Sequence, residues 1–304
     1  MSTRNPTNLA HSVEAKLKNI VAARHIDYRF ILIRYATERL LYRLSVSPNG
    51  KQFVLKGGNL FIIWQKGCDY RPTVDSDLLC YGDATSEHLQ DVFSQACNRT
   101  GVPEDGMVFD SSTIEISPIR EDTEYGGTRI ILTSYLGRAR VTLQFDIGIG
   151  DAITPAPEIV EYPTLLGGPA PVLKAYPMAT AIAEKTEAMV SRGLINSRMK
   201  DFYDIWLLSE LFEHDYPTLA LAINKTFERR HTAMPQEIPI ALTSDFASDS
   251  MKQIQWKAFL RKSLSVKAPA DFALVISRIA QFLIPVLLSS DKTFSRWLPG
   301  KGWQ

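Results

Sequence analysis

The sequence has little of what disulfide-stabilised or membrane-bound proteins require. Its three cysteines, Cys68, Cys80 and Cys97, form neither a C-x-x-C pair nor a pattern with histidine, which argues against a disulfide framework and a structural zinc site. The longest apolar run, 282–288, is interrupted by Pro285 and is too short to span a bilayer. The N-terminal residues contain no apolar signal core. These shortages predict a cytoplasmic protein.

The sequence also lacks an excess of positive or negative charge. The 34 lysines and arginines nearly cancel the 33 aspartates and glutamates, which leaves a net charge of +1. Binding to nucleic acid would therefore need a local basic patch. Arg138 with Arg140 and the cluster at 229–231 are interpreted as solvated surface that could also touch an RNA backbone. With 304 residues and 45% hydrophobic content, the chain is able to bury one large core or two modest ones.

The most informative pattern lies at 53–80. A β-rich run ends at Lys56 and a Gly57-Gly58 pair, and an apolar segment with helical spacing follows. Glycines at a strand-to-helix turn let the backbone approach a ligand closely and direct amide N–H groups at an anion. A glycine pair by itself commonly just ends a strand. Together with the acidic residues that follow it, however, this pair predicts a phosphate-binding turn.

Three aspartates lie on predicted strands. Asp75 and Asp77 are separated by one residue, so their side chains point to the same side of a strand and can converge on one divalent cation or on a pair. Asp146 lies on the polar face of the run at 139–149, whose alternate positions are apolar. Spacing alone leaves open whether the two strands are neighbours. Carboxylates that hold magnesium beside a phosphate-binding turn are suited to phosphoryl or nucleotidyl transfer.

The chain changes character past its middle. In the first half, helical patterns accompany β-rich runs, and the runs from 108 to 149 predict an antiparallel meander. Residues 148–177 hold six of the 17 prolines, which predicts a link between two domains with one short strand near 158–166. Beyond the link the pattern is helical, except at 231–250, which is predicted to be a loop. The sequence therefore predicts an α/β (α+β) fold with a helical C-terminal part.

Lys185 lies in the middle of the helix predicted at 178–192, on an otherwise apolar face. Such a lysine usually extends along the helix to reach solvent; the alternative is an ammonium held over a triphosphate. Asp201 and Asp204 fall in the first turns of the next helix, where Asp204 could cap the helix or pair with a neighbour. No histidine is paired with a nucleophile in the sequence, so covalent catalysis has no support.

Four segments of the chain resemble the AbiEii-type (MenT-like) nucleotidyltransferase toxins of the DNA polymerase β-like superfamily. They are VLKGGNL at 54–60, RPTVDSDL at 71–78, AEKTEA at 183–188 and NSRMKDFYDI at 196–205. The resemblance implies a mixed-sheet nucleotidyltransferase core with flanking helices over 1–170. It also implies a helical C-terminal domain over 171–304 that completes the active site.

The resemblance also assigns residues by position. The implied magnesium ligands are Asp75 and Asp77, with Asp146 as the third carboxylate of the wider superfamily. The implied nucleotide-binding residues are Lys56, Gly57, Gly58, Asn59, Lys185 and Arg198. Lys185 would contact the triphosphate, and Asp201 would be the catalytic acid of the second domain. The catalytic set is therefore Asp75, Asp77, Lys185 and Asp201.

The implied function is that of the toxin in a bacterial type IV-like toxin–antitoxin pair, often linked to phage defence. The expected reaction is magnesium-dependent transfer of NMP from an NTP to an RNA acceptor, with the 3′ end of tRNA preferred, which would block translation. A cognate antitoxin is the expected protein partner, and no membrane is involved.

Two departures from the family pattern favour alternatives. Position 59 is commonly Thr or Ser and is Asn59 here, and Ser76 stands where an aliphatic residue is usual. Asn59 replaces a hydroxyl with an amide and could alter nucleotide preference, whereas Ser76 could loosen the packing behind the carboxylates. One alternative is therefore a nucleotide- or partner-binding protein on a catalytically degenerate scaffold. The other is a nucleotidyltransferase that modifies a small molecule.

Overall fold

The chain folds into two compact units. The computed structural model describes residues 6–67, 73–119, 126–262, 268–288 and 294–304. Unit 1 consists of Met1–Gly150 and Glu158–Tyr176, and unit 2 consists of Asp151–Pro157 and Pro177–Gln304. The expected division after residue 170 differs from this one, because unit 1 extends to Tyr176 and a short segment before it belongs to unit 2.

Unit 1 combines a mixed sheet with flanking helices, as predicted. Its helices are α1 (Pro6–Arg24), α2 (Tyr28–Ser45), α3 (Leu60–Trp64) and α4 (Ser86–Cys97). Its strands are β1 (Phe53–Lys56), β2 (Asp75–Cys80), β3 (Met107–Ile119), β4 (Gly127–Leu136), β5 (Ala139–Ile149), β6 (Glu158–Glu161) and β7 (Val172–Ala175).

The seven strands form one sheet in the order β3-β4-β5-β2-β1-β7-β6. The antiparallel meander predicted for the first half is confirmed, because β4 pairs antiparallel with both β3 and β5. Strand β2 lies at the centre, parallel to β5 and antiparallel to β1. This position places the Asp75–Asp77 segment between the glycine turn that follows β1 and the strand that carries Asp146.

The core of unit 1 packs helices against the sheet. Phe93 of α4 makes edge-to-face contacts with Phe53 of β1 and Phe145 of β5, with ring centroids 6.1 and 5.3 Å apart. Burial of each such ring contributes about 1.5–3 kcal/mol. Helix α2 is capped by Asp27, whose carboxylate accepts a hydrogen bond from the amide of Arg29. The apolar runs of the first half therefore build one continuous core behind the central strands.

The proline-rich segment 148–177 differs from its prediction. It contains two strands instead of one, and β7 pairs parallel with β1. The amide of Tyr176 donates to the carbonyl of Leu55 at 2.9 Å, and Glu158–Tyr176 belongs to unit 1, so most of this segment is part of unit 1 and not a linker. Strands of four residues show too little alternation to be recognised between prolines.

Unit 2 is mainly helical, as predicted. Its helices are α5 (Met178–Arg192), α6 (Met199–Leu211), α7 (Tyr216–Arg229), α8 (Ser244–Ser248), α9 (Ser250–Lys262) and α10 (Phe272–Leu288). A small antiparallel sheet is formed by β8 (His214–Asp215), β9 (Arg296–Leu298) and β10 (Gly302–Trp303). Within the part of the chain that the structure describes, no helix has both the length and the apolar character needed to cross a membrane.

The prediction of a loop at 231–250 was wrong in part. Helix α8 lies inside it, capped by Thr243, whose hydroxyl accepts a hydrogen bond from the amide of Phe246 at 3.2 Å. The ring of Phe246 is buried and stacks on Phe202, with centroids 5.5 Å apart. A five-residue helix is too short to show helical periodicity in the sequence. The aromatic side chain of Phe246 was the sequence feature that could have indicated a packed segment here.

Candidate active site

A row of four charged side chains crosses the central strands of unit 1. Lys56 lies opposite Asp77, Asp77 lies opposite Asp146, and Asp146 lies opposite Arg129. Opposite residues of paired strands point to the same face of a sheet, so the row presents the charges plus, minus, minus and plus. Asp75 points to the same face, opposite Gln144. The two acidic strands, β2 and β5, are thus direct neighbours.

The glycine turn lies against the acidic strand. Gly57 has a φ of +69°, and a Cβ atom at this position would overlap the carboxylate of Asp77. A Cβ atom on Gly58 would lie 2.7 Å from the hydroxyl of Thr73. Both glycines are therefore required by close approach, and Gly57 also by its backbone conformation. The turn and the Asp77 carboxylate form one local arrangement.

Asn59 is turned inward from this arrangement. Its side chain is 3% exposed, and its amide donates to the hydroxyl of Ser76 at 3.1 Å and to the carbonyl of Asp75 at 3.4 Å. Its oxygen accepts a hydrogen bond from the hydroxyl of Tyr162 at 3.0 Å. These bonds join the glycine turn to β2. Lys56 is half-buried, with its ammonium 5.9 Å from the ring centroid of Tyr176.

Asp146 is held by two neighbours on its own face. Arg129 donates to its two oxygens through Nε at 2.9 Å and Nη2 at 2.8 Å. Gln144 lies 3.2 and 3.3 Å from the same oxygens. Among the described residues, no group of three or more His, Cys, Asp or Glu side chains is arranged to hold a metal ion.

The predicted residues of unit 2 form a buried charge cluster. The ammonium of Lys185 lies 2.7 Å from Asp201 Oδ1 and 2.9 Å from Asp204 Oδ2. Arg198 donates to the other oxygen of Asp201. Asp201 and Asp204 are three residues apart on α6 and so share one face of the helix. Lys185 therefore turns to this face instead of extending along the helix to solvent, and its side chain is 14% exposed.

The charge state of Asp201 follows from its partners. Its burial alone would raise the pKa, because a charged carboxylate loses its hydration. The nearby ammonium of Lys185 and guanidinium of Arg198 outweigh this effect, and the pKa of Asp201 lies well below its ordinary value. Asp201 is thus an anion at neutral pH, and its oxygens fix the positions of two cations.

Arg230 departs from its interpretation as solvated surface. Its guanidinium lies 2.7 Å from Glu187 and 3.3 Å from Glu184, and it also faces Asp151 at 3.9 Å. Burial lowers the pKa of Arg230, but the three carboxylates together raise it above its ordinary value. Glu187 also accepts a hydrogen bond from Thr232 at 2.6 Å. This arginine therefore ties the segment after α7 to α5.

Two residues of the site were missed in the sequence. Arg129 lies in a predicted strand, but only the pairing of β4 with β5 places it opposite Asp146. Tyr162 lies in the proline-rich segment, where no periodicity marks it. The alternation of β5 did identify the face on which Asp146 lies. For Arg129, the alternation of its strand predicts the face of the sheet on which the side chain lies. It does not predict which residue of which strand lies opposite.

The family profile described as "Nucleotidyl transferase AbiEii toxin, Type IV TA system" matches residues 39–278. This range contains both charge clusters and the glycine turn. The chain belongs to the AbiEii family. Its members are the nucleotidyltransferase toxins of type IV toxin–antitoxin systems, which confirms the resemblance drawn from the four motifs.

Solved structures from Helicobacter pylori share the fold of this AbiEii protein. One is described as a candidate nucleotidyltransferase; it is 15% identical, with a TM-score of 0.52 over 84% of this chain and 95% of the other. The other is JHP933, also 15% identical, with a TM-score of 0.50 over 84% of this chain and 92% of the other. No curated protein is significantly similar to the chain. At this identity the likeness supports the fold alone.

Proposed function

We propose that this AbiEii-family protein is a cytoplasmic, magnesium-dependent toxin that transfers NMP from an NTP to an RNA acceptor, preferably the 3′ end of tRNA. Loss of usable tRNA would block translation until a cognate antitoxin counteracts the enzyme. The observation that carries the proposal is the close approach of the Gly57 turn to the Asp77 carboxylate. The choice of tRNA, the antitoxin and the role in phage defence rest on the family resemblance.

The residues around the turn suit a metal-bound nucleotide. Carboxylate oxygens are the ligands that magnesium prefers, and Asp75 and Asp77 share one face of β2. The missing side chain at Gly57 leaves backbone beside the carboxylate, where a phosphate could approach. When bound there by Asp75 and Asp77, magnesium would neutralise phosphate charge and favour deprotonation of the acceptor hydroxyl. Catalysis by this chain would then rest on positioning.

The family resemblance gives two cationic residues of unit 2 a part in the proposed chemistry. Lys185 would contact the triphosphate, and Arg198 would bind the nucleotide. Asp201 holds both cations by hydrogen bonds, and its lowered pKa keeps it charged. We therefore assign it the part of a positioning residue and not of a proton donor. Asn59 has a similar part in unit 1, because its amide is committed to Ser76, Asp75 and Tyr162.

A labelling assay tests the activity. The protein is incubated with each of the four labelled NTPs, magnesium and total tRNA, and the RNA is separated on a gel. We expect label from at least one nucleotide on tRNA with the wild type and none with Asp77→Asn. The exposed Asp91 on α4 offers a matched control, since Asp91→Asn should label as the wild type does. Absence of label with all four nucleotides would contradict the proposal.

Growth arrest separates a transferase from a binding protein. Expression of the wild type should arrest growth, whereas Asp77→Ala should not, because it loses a proposed metal ligand and little else. Equal arrest by both would favour action by binding alone. A small-molecule transferase would instead bind tRNA no better than other polyanions; salt-dependent binding of tRNA that is clearly tighter than binding of another polyanion at the same salt concentration argues against that option.

A further inference from the structure

The carboxylate of Asp146 is enclosed by two polar side chains on its own face of the sheet. Arg129 engages both oxygens in a bidentate pair at 2.9 and 2.8 Å, and the amide of Gln144 adds contacts at 3.2 and 3.3 Å. The pair is partly shielded, with side-chain exposures of 38% for Arg129 and 18% for Asp146. A bidentate guanidinium–carboxylate pair is among the stronger polar contacts in proteins.

This pairing opposes metal coordination on electrostatic grounds. A carboxylate has about four lone-pair sites, so the hydrogen bonds alone would leave room for a cation. The guanidinium, however, would lie within a few ångströms of a divalent ion held on the same oxygens. Two like charges at such a distance repel strongly. For Asp146 to become a ligand, Arg129 would have to leave it.

Distance is not what keeps Asp146 from the metal. Asp77 and Asp146 are directly opposite each other on the adjacent strands β2 and β5, and neighbouring strands lie about 4.8 Å apart. An unpaired carboxylate at position 146 would therefore be close enough to join Asp77 on one cation. The partner, and not the backbone, decides whether this carboxylate is available.

We propose that the Arg129–Asp146 pair withholds the third carboxylate, so that, of the three aspartates on β2 and β5, Asp75 and Asp77 supply the acidic ligands of the metal and Asp146 does not. Arg129 is then a positioning residue that sets the charge of the row and thereby the metal affinity. This inference rests on the proposed function, since it presupposes a metal at Asp75 and Asp77. It departs from the three-carboxylate site that the superfamily resemblance implies.

Titration with Mn²⁺ in the absence of nucleotide tests the inference. The concentration of free Mn²⁺ is measured by electron paramagnetic resonance. Asp77→Asn should weaken Mn²⁺ binding by about tenfold or more, because one negative charge beside a divalent ion is worth at least that factor. Asp146→Asn should also weaken binding, because it leaves the guanidinium of Arg129 uncompensated close to the ion, so only removal of both charges of the pair tests whether Asp146 is a ligand.

Removal of the arginine gives the sharper test. Arg129→Gln frees the carboxylate of Asp146, and we expect Mn²⁺ to bind about tenfold more tightly. The double variant Arg129→Gln/Asp146→Asn should return to wild-type affinity. Because it removes both charges of the pair, it also shows that the gain comes from Asp146 and not from altered folding.

The outcomes distinguish the inference from the function on which it rests. Weakening of the double variant Arg129→Gln/Asp146→Asn to the level of Asp77→Asn would overturn the inference and leave a three-carboxylate transferase. Unchanged affinity in Arg129→Gln would overturn it as well. If the wild type binds no Mn²⁺ and Asp77→Asn equals it, both the inference and the metal-dependent function are contradicted. Circular dichroism of each variant confirms that only folded protein is compared.

Discussion

The side-chain amide of Asn59 donates a hydrogen bond to the hydroxyl of Ser76 at 3.1 Å. The resemblance to the family marked these two positions as departures from its pattern, and in the structure their side chains are hydrogen-bonded partners. Both side chains are buried, where an unpaired polar group would be costly. An amide at position 59 therefore accompanies a hydroxyl at position 76. The pairing gives both side chains a packing role in unit 1, and the degenerate scaffold stays an alternative that the growth-arrest experiment tests.

A double-mutant cycle on this pair tests their coupling. Ser76→Ala should lower the free energy of unfolding by about 1 kcal/mol, and Asn59→Ala by about 2 kcal/mol or more, because Asn59 also pairs with Tyr162. The double variant should be less destabilised than the sum of the single variants by about 1 kcal/mol. Urea denaturation measures all three.

The exposed pair Asn98–Ser111 provides the matched control for that cycle. It joins the same two groups at 3.0 Å, but water can replace either partner. We expect a coupling energy below about 0.5 kcal/mol for its alanine variants. A coupling at Asn59–Ser76 that is no larger than this would contradict the view that the two departures compensate each other.

Gly57→Ala should abolish nucleotide transfer. The added methyl group would overlap the Asp77 carboxylate, and the residue would also have to keep a φ of +69°. Gly101→Ala separates the two effects, because Gly101 has a φ of +75° but nothing within 4 Å of its Cβ position. We expect both variants to lose about 1–2 kcal/mol of stability from backbone strain, whereas only Gly57→Ala should lose labelling activity. Equal activity in the two variants would show that the turn does not need to approach Asp77.

The sequence could predict the face of a strand on which a side chain lies, but not which strand lies beside it in the sheet. The alternation of β5 placed Asp146 on a polar face, and the single-residue spacing placed Asp75 and Asp77 on one side of β2. The partner of Asp146, however, depends on which strand lies beside β5, and this is a property of the whole sheet. Tyr162 shows the same limit, since it reaches Asn59 from a segment that is distant in sequence.

More of the charge cluster in unit 2 could be predicted from the sequence. Asp201 and Asp204 are three residues apart, which places both on one face of a helix. Lys185 alone gave two interpretations, and its environment decided between them. A lysine that faces two buried carboxylates cannot also extend to solvent. Local spacing is thus enough to place the two carboxylates on one face, whereas only the packing of α5 and α6 shows that Lys185 joins them.

Lys185→Met should destabilise unit 2 as well as reduce activity. It would leave Asp201 and Asp204 buried, at 1% and 0% exposure, without the ammonium between them. Loss of one partner of a buried pair costs about 3–5 kcal/mol. The exposed pair Lys225–Glu228 gives the control, since Lys225→Met should change stability by less than about 1 kcal/mol. Urea denaturation compares the two variants, and similar small losses in both would contradict the structural importance of Lys185.

Asp201→Asn should show a stability loss that depends on pH. The pKa of Asp201 in the folded protein lies below the ordinary value of 3.8, so its charged form stabilises the fold. This contribution is fully present above the unfolded-state pKa and is lost as the pH falls towards the folded-state pKa. We expect Asp201→Asn to be less stable than the wild type by about 3 kcal/mol at pH 7. The difference should remain constant down to about pH 5 and shrink below about pH 4.

Urea denaturation at a series of pH values, with tryptophan fluorescence as the readout, measures this difference. Four of the five tryptophans, at positions 206, 256, 297 and 303, belong to unit 2 and report its unfolding. Glu237→Gln is the control, because this exposed acid should change stability by less than about 0.5 kcal/mol at pH 7. A difference between Asp201→Asn and the wild type that stays constant down to pH 3 would mean that the carboxylate is not held as an anion by Lys185 and Arg198.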